Sequence, residues 1–191
     1  MRAVFLDRDG VLVKDSGSLI DKAQIEVLSG VPAALSRLHS AAYLLVVVTN
    51  QAVVARGLAT EEDVGRLNSE ISSRLTTAGA PLIDAFYYCP HHPNADLPEY
   101  RMDCDCRKPR PGLLLRAARD HGIELKTSYM VGDRPTDIMA GARAGCRTVL
   151  VETGAHRAPL IETAERTLSM VPSDFACGSL AEAADWILAQ A

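Results

Sequence analysis

The sequence predicts an α/β protein, a parallel β-sheet covered by helices on both faces. Short apolar runs rich in β-branched residues recur along the chain, helical stretches separate them, and each run ends in polar or glycine-containing sequence. Strand, helix, strand, repeated, requires crossover connections, and crossovers cover both faces of a parallel sheet.

The first strand is expected over residues 3–6, ending at Asp7, and the second over 43–48, ending at Thr49-Asn50-Gln51. Three more are expected over 83–88, 128–131 and 148–151, making five. Helices are expected over 32–40, 60–78, 111–121 and 135–144. Thr60 followed by Glu61, Glu62 and Asp63 reads as an N-cap with an acidic first turn, and Pro111 and Pro135 suit a first helical position. At 179–189, Leu180, Ala183, Ala184, Ile187 and Leu188 fall at helical spacing, as in a final packing helix.

With 191 residues, 48% of them hydrophobic, the whole span 1–191 is expected to form one domain. The net charge of −4 gives no positive field for a nucleic-acid backbone. Asp7 arrives too early for a signal-peptide core, and no apolar run is long enough to span a bilayer, so the expectation is a cytoplasmic protein with no membrane partner. No nucleic-acid partner is expected either, and the chain is expected to be a monomer.

In sheets of this kind ligands sit beyond the carboxyl ends of the strands. There the first strand delivers Asp7-Arg8-Asp9-Gly10, the second Thr49-Asn50-Gln51, and the fourth Gly132-Asp133-Arg134, with Asp137 a helical turn later. Carboxylates sharing a small region need a cation, and hard oxygen donors select Mg²⁺. Mg²⁺ leaves one Asp able to attack phosphorus, a nucleophile role that fits Asp7. Asp9, two residues on in an extended chain, faces the same side and suits a general acid/base. Thr49 and a cation such as Lys108 would stabilise the phosphoryl oxygens.

A second chemistry lies between about 88 and 108. Cys89-Pro90-His91 and Cys104-Asp105-Cys106 supply three thiolates and one imidazole, a closed tetrahedral set that suits structural Zn²⁺. His91 is preferred to His92 because its spacing from Cys89 matches that of the Cys104 and Cys106 pair. Cys146 and Cys177 read as core thiols. A zinc clamp here would aim Arg107 and Lys108, directly after the last ligand, at the site.

These residues resemble the four motifs of the haloacid dehalogenase (HAD) superfamily of aspartate-dependent phosphatases. The matching stretches are Phe5-Leu6-Asp7-Arg8-Asp9-Gly10-Val11, Val48-Thr49-Asn50-Gln51, Lys108-Pro109, and Met130 to Asp137. The resemblance implies a three-layer α/β/α Rossmann-like fold, without a cap because the intervals between motifs leave no room for one. It implies Asp7 as nucleophile, Asp9 as general acid/base that also binds Mg²⁺ through its main-chain carbonyl, and Mg²⁺ held by Asp7, Asp9 and Asp133.

The zinc loop and the stretches Thr49-Asn50-Gln51 and Ala55-Arg56-Gly57 are similar to those of the D-glycero-D-manno-heptose 1,7-bisphosphate 7-phosphatase group. That resemblance implies removal of the 7-phosphate of a sugar bisphosphate. Histidinol-phosphate phosphatases, with a similar clamp on a shorter interval, are the alternative, and a zinc-loop interaction module without turnover is a further one. It also implies that Arg107 and Lys108 contact phosphate. Substrate would further be lined by Arg8, Asp15, Ser16, Gly17, Ser18, Asn50, Gln51 and Ala52, with Arg134 beside the Mg²⁺ site.

Overall fold

The computed structural model describes residues 1–154 and 172–190. The expected single domain 1–191 includes residues 155–171 and 191, which lie outside them. Six parallel strands form one sheet: β1 (Arg2–Leu6), β2 (Tyr43–Asn50), β3 (Ala85–Cys89), β4 (Tyr129–Gly132), β5 (Arg147–Val151) and β6 (Phe175–Cys177), in the order β3-β2-β1-β4-β5-β6. The chain builds outward from β1 first to one side and then to the other. The order therefore reverses between β1 and β4, which opens a crevice at their carboxyl ends.

The helices are α1 (Val31–Ser40), a single turn α2 (Ala52–Ala55), α3 (Glu61–Thr77), α4 (Gly112–His121), α5 (Pro135–Ala144) and α6 (Leu180–Ala189). Because strand side chains alternate, each strand feeds two cores. Val4, Leu6, Leu45, Val47 and Val131 pack with Leu35 and Leu38 of α1, Ile71 and Leu75 of α3, and Ile187 of α6. The intervening Phe5, Val46, Val48 and Met130 pack with Leu113, Leu114 and Ala117 of α4 and Ala140 of α5. Each such aliphatic side chain contributes about 1.5–3 kcal/mol on burial, and together they hold β1, β2 and β4 in fixed register. Phe5 lies level with Val46 on one side and Met130 on the other. The residues that follow these strands therefore emerge side by side.

The three-layer α/β/α architecture is as expected, and among the described residues no inserted domain covers the sheet's carboxyl edge. All five expected strands form, with ends displaced by one or two residues. β6, three residues long, is too short to carry a periodic signal, and α2 makes one turn only. Thr60 caps α3, its hydroxyl accepting from the Asp63 N–H at 3.1 Å while Asp63 accepts from the Thr60 N–H. Pro135 opens α5 at its first turn, whereas Pro111 stands one residue ahead of α4 as its cap. Cys146 and Cys177 are buried thiols.

At the end of β4 the chain passes so close to α5 that a Cβ on Gly132 would lie 2.1 Å from Cβ of Asp137. Gly132→Ala is expected to push the first turn of α5 off the sheet and cost about 1–3 kcal/mol. Denaturant unfolding checks this, and an unchanged midpoint would contradict it.

Candidate active site

Asp7 follows β1 directly and is fixed by its own N–H, which donates to Val131 O of β4 at 3.0 Å. Its side chain is nearly buried, and Oδ1 accepts from the Arg8 N–H at 2.8 Å and lies 2.9 Å from Lys108 Nζ. Both contacts fall on Oδ1, leaving Oδ2 as the oxygen available for chemistry.

Lys108 is the hub. Its ammonium, almost entirely enclosed, lies 2.6 Å from Asp137 Oδ1 as well as against Asp7, and donates to Val48 O at 2.8 Å. Burial alone would push its pKa down, but the Asp137 and Asp7 carboxylates outweigh burial and hold it at about 12. Asp137 is raised to about 6, because burial and the neighbouring Asp7 outweigh the attraction of Lys108. The main chain of Lys108 is set by Asn50 at the end of β2, whose side-chain amide donates to Lys108 O and accepts from Lys108 N–H, both at 3.1 Å.

Asp9 is held by a second network. Arg8 grips its carboxylate with two contacts, Nε to Oδ1 at 3.2 Å and a terminal nitrogen to Oδ2 at 2.9 Å. Arg8 also donates to Asn68 Oδ1 of α3 at 3.1 Å and to Gln51 Oε1 at 2.8 Å. Gln51 in turn donates to Asp9 Oδ2 and to Thr49 Oγ1, both at 3.0 Å. One enclosed guanidinium thus orients the carboxylate and the hydroxyl together.

Asp7, Asp9, Thr49 and Lys108 line one pocket with Asp15, Gly17, Ser18, Asn50, Gln51, Ala52, Arg107 and Arg134. Two residues expected as substrate contacts, Arg8 and Ser16, are not in that lining. Arg8 is 0% exposed, its guanidinium consumed by Asp9, Gln51 and Asn68, so it is a positioning residue. Ser16 lies outside the lining, because Asp15 Oδ1 accepts from the Gly17 N–H at 2.8 Å and the resulting turn leaves Ser16 exposed. Arg134 reaches across to Asp15 at 3.0 Å.

The carboxylates of Asp7, Asp133 and Asp137 each bring an oxygen within 4.8 Å of the others. An all-oxygen, all-buried set of this kind fits a hard cation such as Mg²⁺. Asp133 is walled in by main chain: a Cβ on Gly10 or Gly154 would meet its Oδ2 at 2.6 or 2.1 Å. The side chain of Asp9 faces Arg8 and Gln51 instead, so a part for Asp9 at the cation falls to its carbonyl.

Sequence reasoning missed Asn68 and Gly154 and gave Asp137 no role. Asn68 carries no signal, being one amide within a long amphipathic helix. Asp137 had one, since a carboxylate four residues after Asp133 at a helix N-terminus lies on the same rim.

The second cluster forms beyond β3. Cys89, the last residue of that strand, is level with Asn50 of β2. Its Sγ lies 3.5 Å from Cys104 Sγ, 3.2 Å from Cys106 Sγ and 3.8 Å from His91 Nδ1; Cys104 and Cys106 are 3.1 Å apart, and His91 Nδ1 is 3.4 Å from Cys106. Zinc–sulfur bonds of about 2.3 Å require tetrahedral edges of about 3.8 Å, so these four groups fit Zn²⁺ with a small expansion. The hydrogen bond shared with Cys89 pulls the Cys106 thiol down to about 5, while the same bond pushes Cys89 up and burial pushes Cys104 up. His92 is turned elsewhere, its Nδ1 accepting from the Asn94 N–H at 3.1 Å.

A HAD-hydrolase-like family model matches residues 105–183. A D-glycero-beta-D-manno-heptose-1,7-bisphosphate 7-phosphatase of Pasteurella multocida is 42% identical over 171 residues, covering 89% of this chain and 90% of that protein. The protein of the same name from Escherichia coli K12 is 43% identical, covering 85% of each. Among solved structures, D,D-heptose 1,7-bisphosphate phosphatase from B. bronchiseptica complexed with magnesium and phosphate has a TM-score of 0.83 at 32% identity, covering 100% of each chain. That of Burkholderia thailandensis has a TM-score of 0.67 at 25% identity, covering 98% of this chain and 99% of the other.

The parallel sheet, with carboxylates gathered at its switch point around a buried lysine, defines a hydrolase of the HAD superfamily. Within it, the chain belongs to the heptose 1,7-bisphosphate 7-phosphatase family.

Cys106→Ser is expected to lower bound zinc and thermal stability together, since binding energy for a structural zinc is folding energy. Elemental analysis with a melting curve checks this. Full zinc content in the variant would remove Cys106 from the ligand set.

Proposed function

We propose that this chain removes the 7-phosphate of D-glycero-β-D-manno-heptose 1,7-bisphosphate through an aspartyl-phosphate on Asp7. The observation that carries the reading is the setting of Asp7: a carboxylate at the sheet's switch point, 2.9 Å from an enclosed ammonium and within a cluster of acidic oxygens. The family relatives supply the substrate class.

In the first half-reaction an Asp7 oxygen attacks phosphorus as the bond to the sugar oxygen breaks, and Asp9 gives that oxygen its proton. In the second, the Asp9 carboxylate takes a proton from water, the water oxygen attacks phosphorus, and inorganic phosphate leaves with Asp7 restored. Lys108, Thr49 and Arg107 face the charge that develops on the phosphoryl oxygens. Asp7, Asp133 and the main-chain carbonyl of Asp9 would hold Mg²⁺, which would supply charge compensation between the carboxylates and the phosphoryl group. Arg8 and Gln51 keep the Asp9 carboxylate in place through both halves.

Among the described residues no helix is long and apolar enough to cross a membrane. A reducing cytoplasm suits three clustered thiols that serve a metal, and the net charge of −4 argues against nucleic acid as a partner. We take the working unit as a monomer.

Asp7→Asn keeps the shape of the side chain and removes the attacking charge, so Mg²⁺-dependent phosphate release from the heptose bisphosphate should fall more than about a thousandfold in a variant whose melting curve shows that it is still folded at the assay temperature. Retained turnover would refute the assignment. A panel including histidinol phosphate tests the substrate, and a higher kcat/KM for that compound would overturn it.

A further inference from the structure

The pocket is lined by four cations, Arg56, Arg107, Lys108 and Arg134. Two are already spent. Lys108 is enclosed and answers Asp7 and Asp137, and Arg134 answers Asp15. The sequence had set Lys108 beside Arg107 as a partner for phosphate, yet its burial confines it to the reacting centre and puts it out of reach of a second phosphate. Arg56 differs from both. It is exposed at the pocket wall, one residue beyond α2, and among the described residues neither an ion pair nor a side-chain hydrogen bond engages its guanidinium.

Arg56 is nevertheless well placed. Its N–H donates to Ala52 O at 3.0 Å, and Gly57, at a φ of +66°, turns the chain directly after it. The zinc loop braces this corner: the N–H groups of Asp96 and Leu97 both donate to Ala55 O, at 3.0 and 3.1 Å, and Leu97 packs beside Gly57. Arg107 leaves the same loop at its other end and donates to His91 O at 3.2 Å. The loop that carries the Cys and His cluster thus steadies both arginines. Arg56, a cation without a protein counter-charge among the described residues, faces the cavity and is left to pair with ligand charge, and its planar fork of donors suits a phosphate dianion.

We propose that Arg56 forms the subsite for the phosphate that is not transferred, and so sets the preference for a sugar bisphosphate over a monophosphate. The inference rests on the substrate reading above and adds a residue to it. The test compares heptose 1,7-bisphosphate with heptose 7-phosphate for the natural chain, Arg56→Ala and Arg56→Lys. Arg56→Ala should raise KM for the bisphosphate about tenfold or more, leave kcat within about twofold, and leave both constants for the monophosphate unchanged. Arg56→Lys, which keeps the charge but loses the fork, should fall between.

An equal loss on both substrates, or no loss on either, overturns the subsite while leaving the substrate reading intact. A natural chain that does not prefer the bisphosphate overturns both.

Discussion

The site depends on one constraint: carboxylates brought together out of water must be answered by buried positive charge. Asp7, Asp133 and Asp137 gather where β1 and β4 diverge, and the fixed cation among them is Lys108, 2.6 and 2.9 Å from two of the three. Removing one partner from a buried ion pair costs about 3–5 kcal/mol, because the remaining charge is stranded. Much of the surrounding structure serves to place that ammonium. Asn50 clamps its main chain, Val48 O takes one of its protons, and Gly132 lets α5 come close enough to deliver Asp137. The same charge that permits the carboxylates to coexist stands ready for a phosphoryl group.

The zinc-type cluster belongs to this arrangement. Cys89 ends β3 in register with Asn50, and Cys106 stands two residues before Lys108. A metal joining them would fix both ends of the span between the sheet and the lysine, along a stretch with little apolar content of its own. The loop between His91 and Cys104 is braced as well: the Tyr100 hydroxyl donates to Glu61 at the start of α3 at 3.1 Å, beside the Tyr88 hydroxyl of β3, which donates to the same carboxylate at 3.0 Å. Positioning that a larger protein would obtain from packing comes here from coordination and hydrogen bonds.

What the sequence made legible follows from locality. The strand ends carrying Asp7, Thr49 and Asp133 could be read because apolar runs stop abruptly at polar residues, and the Cys and His pairs because their spacing repeats. β6 could not be read, since three residues carry no period. Arg8 misled because its burial is decided by Asn68, sixty residues on, and by Gln51; in the sequence, a cation flanked by two aspartates looks like a ligand contact. Lys108 was placed at the site, but its confinement to Asp7 and Asp137 required the closeness of β4 and α5. Motifs gave the chemistry of the rim, and the division of its charges between protein and ligand came only from three-dimensional pairing.

The most direct measurement of the central claim is mass spectrometry of the protein quenched with acid during turnover of the heptose bisphosphate. The account predicts one phosphoryl group on the peptide that contains Asp7, carried by that side chain. A phosphoryl group on any other residue, or none on a chain shown to be turning over with dephosphorylation made rate-limiting, would contradict it.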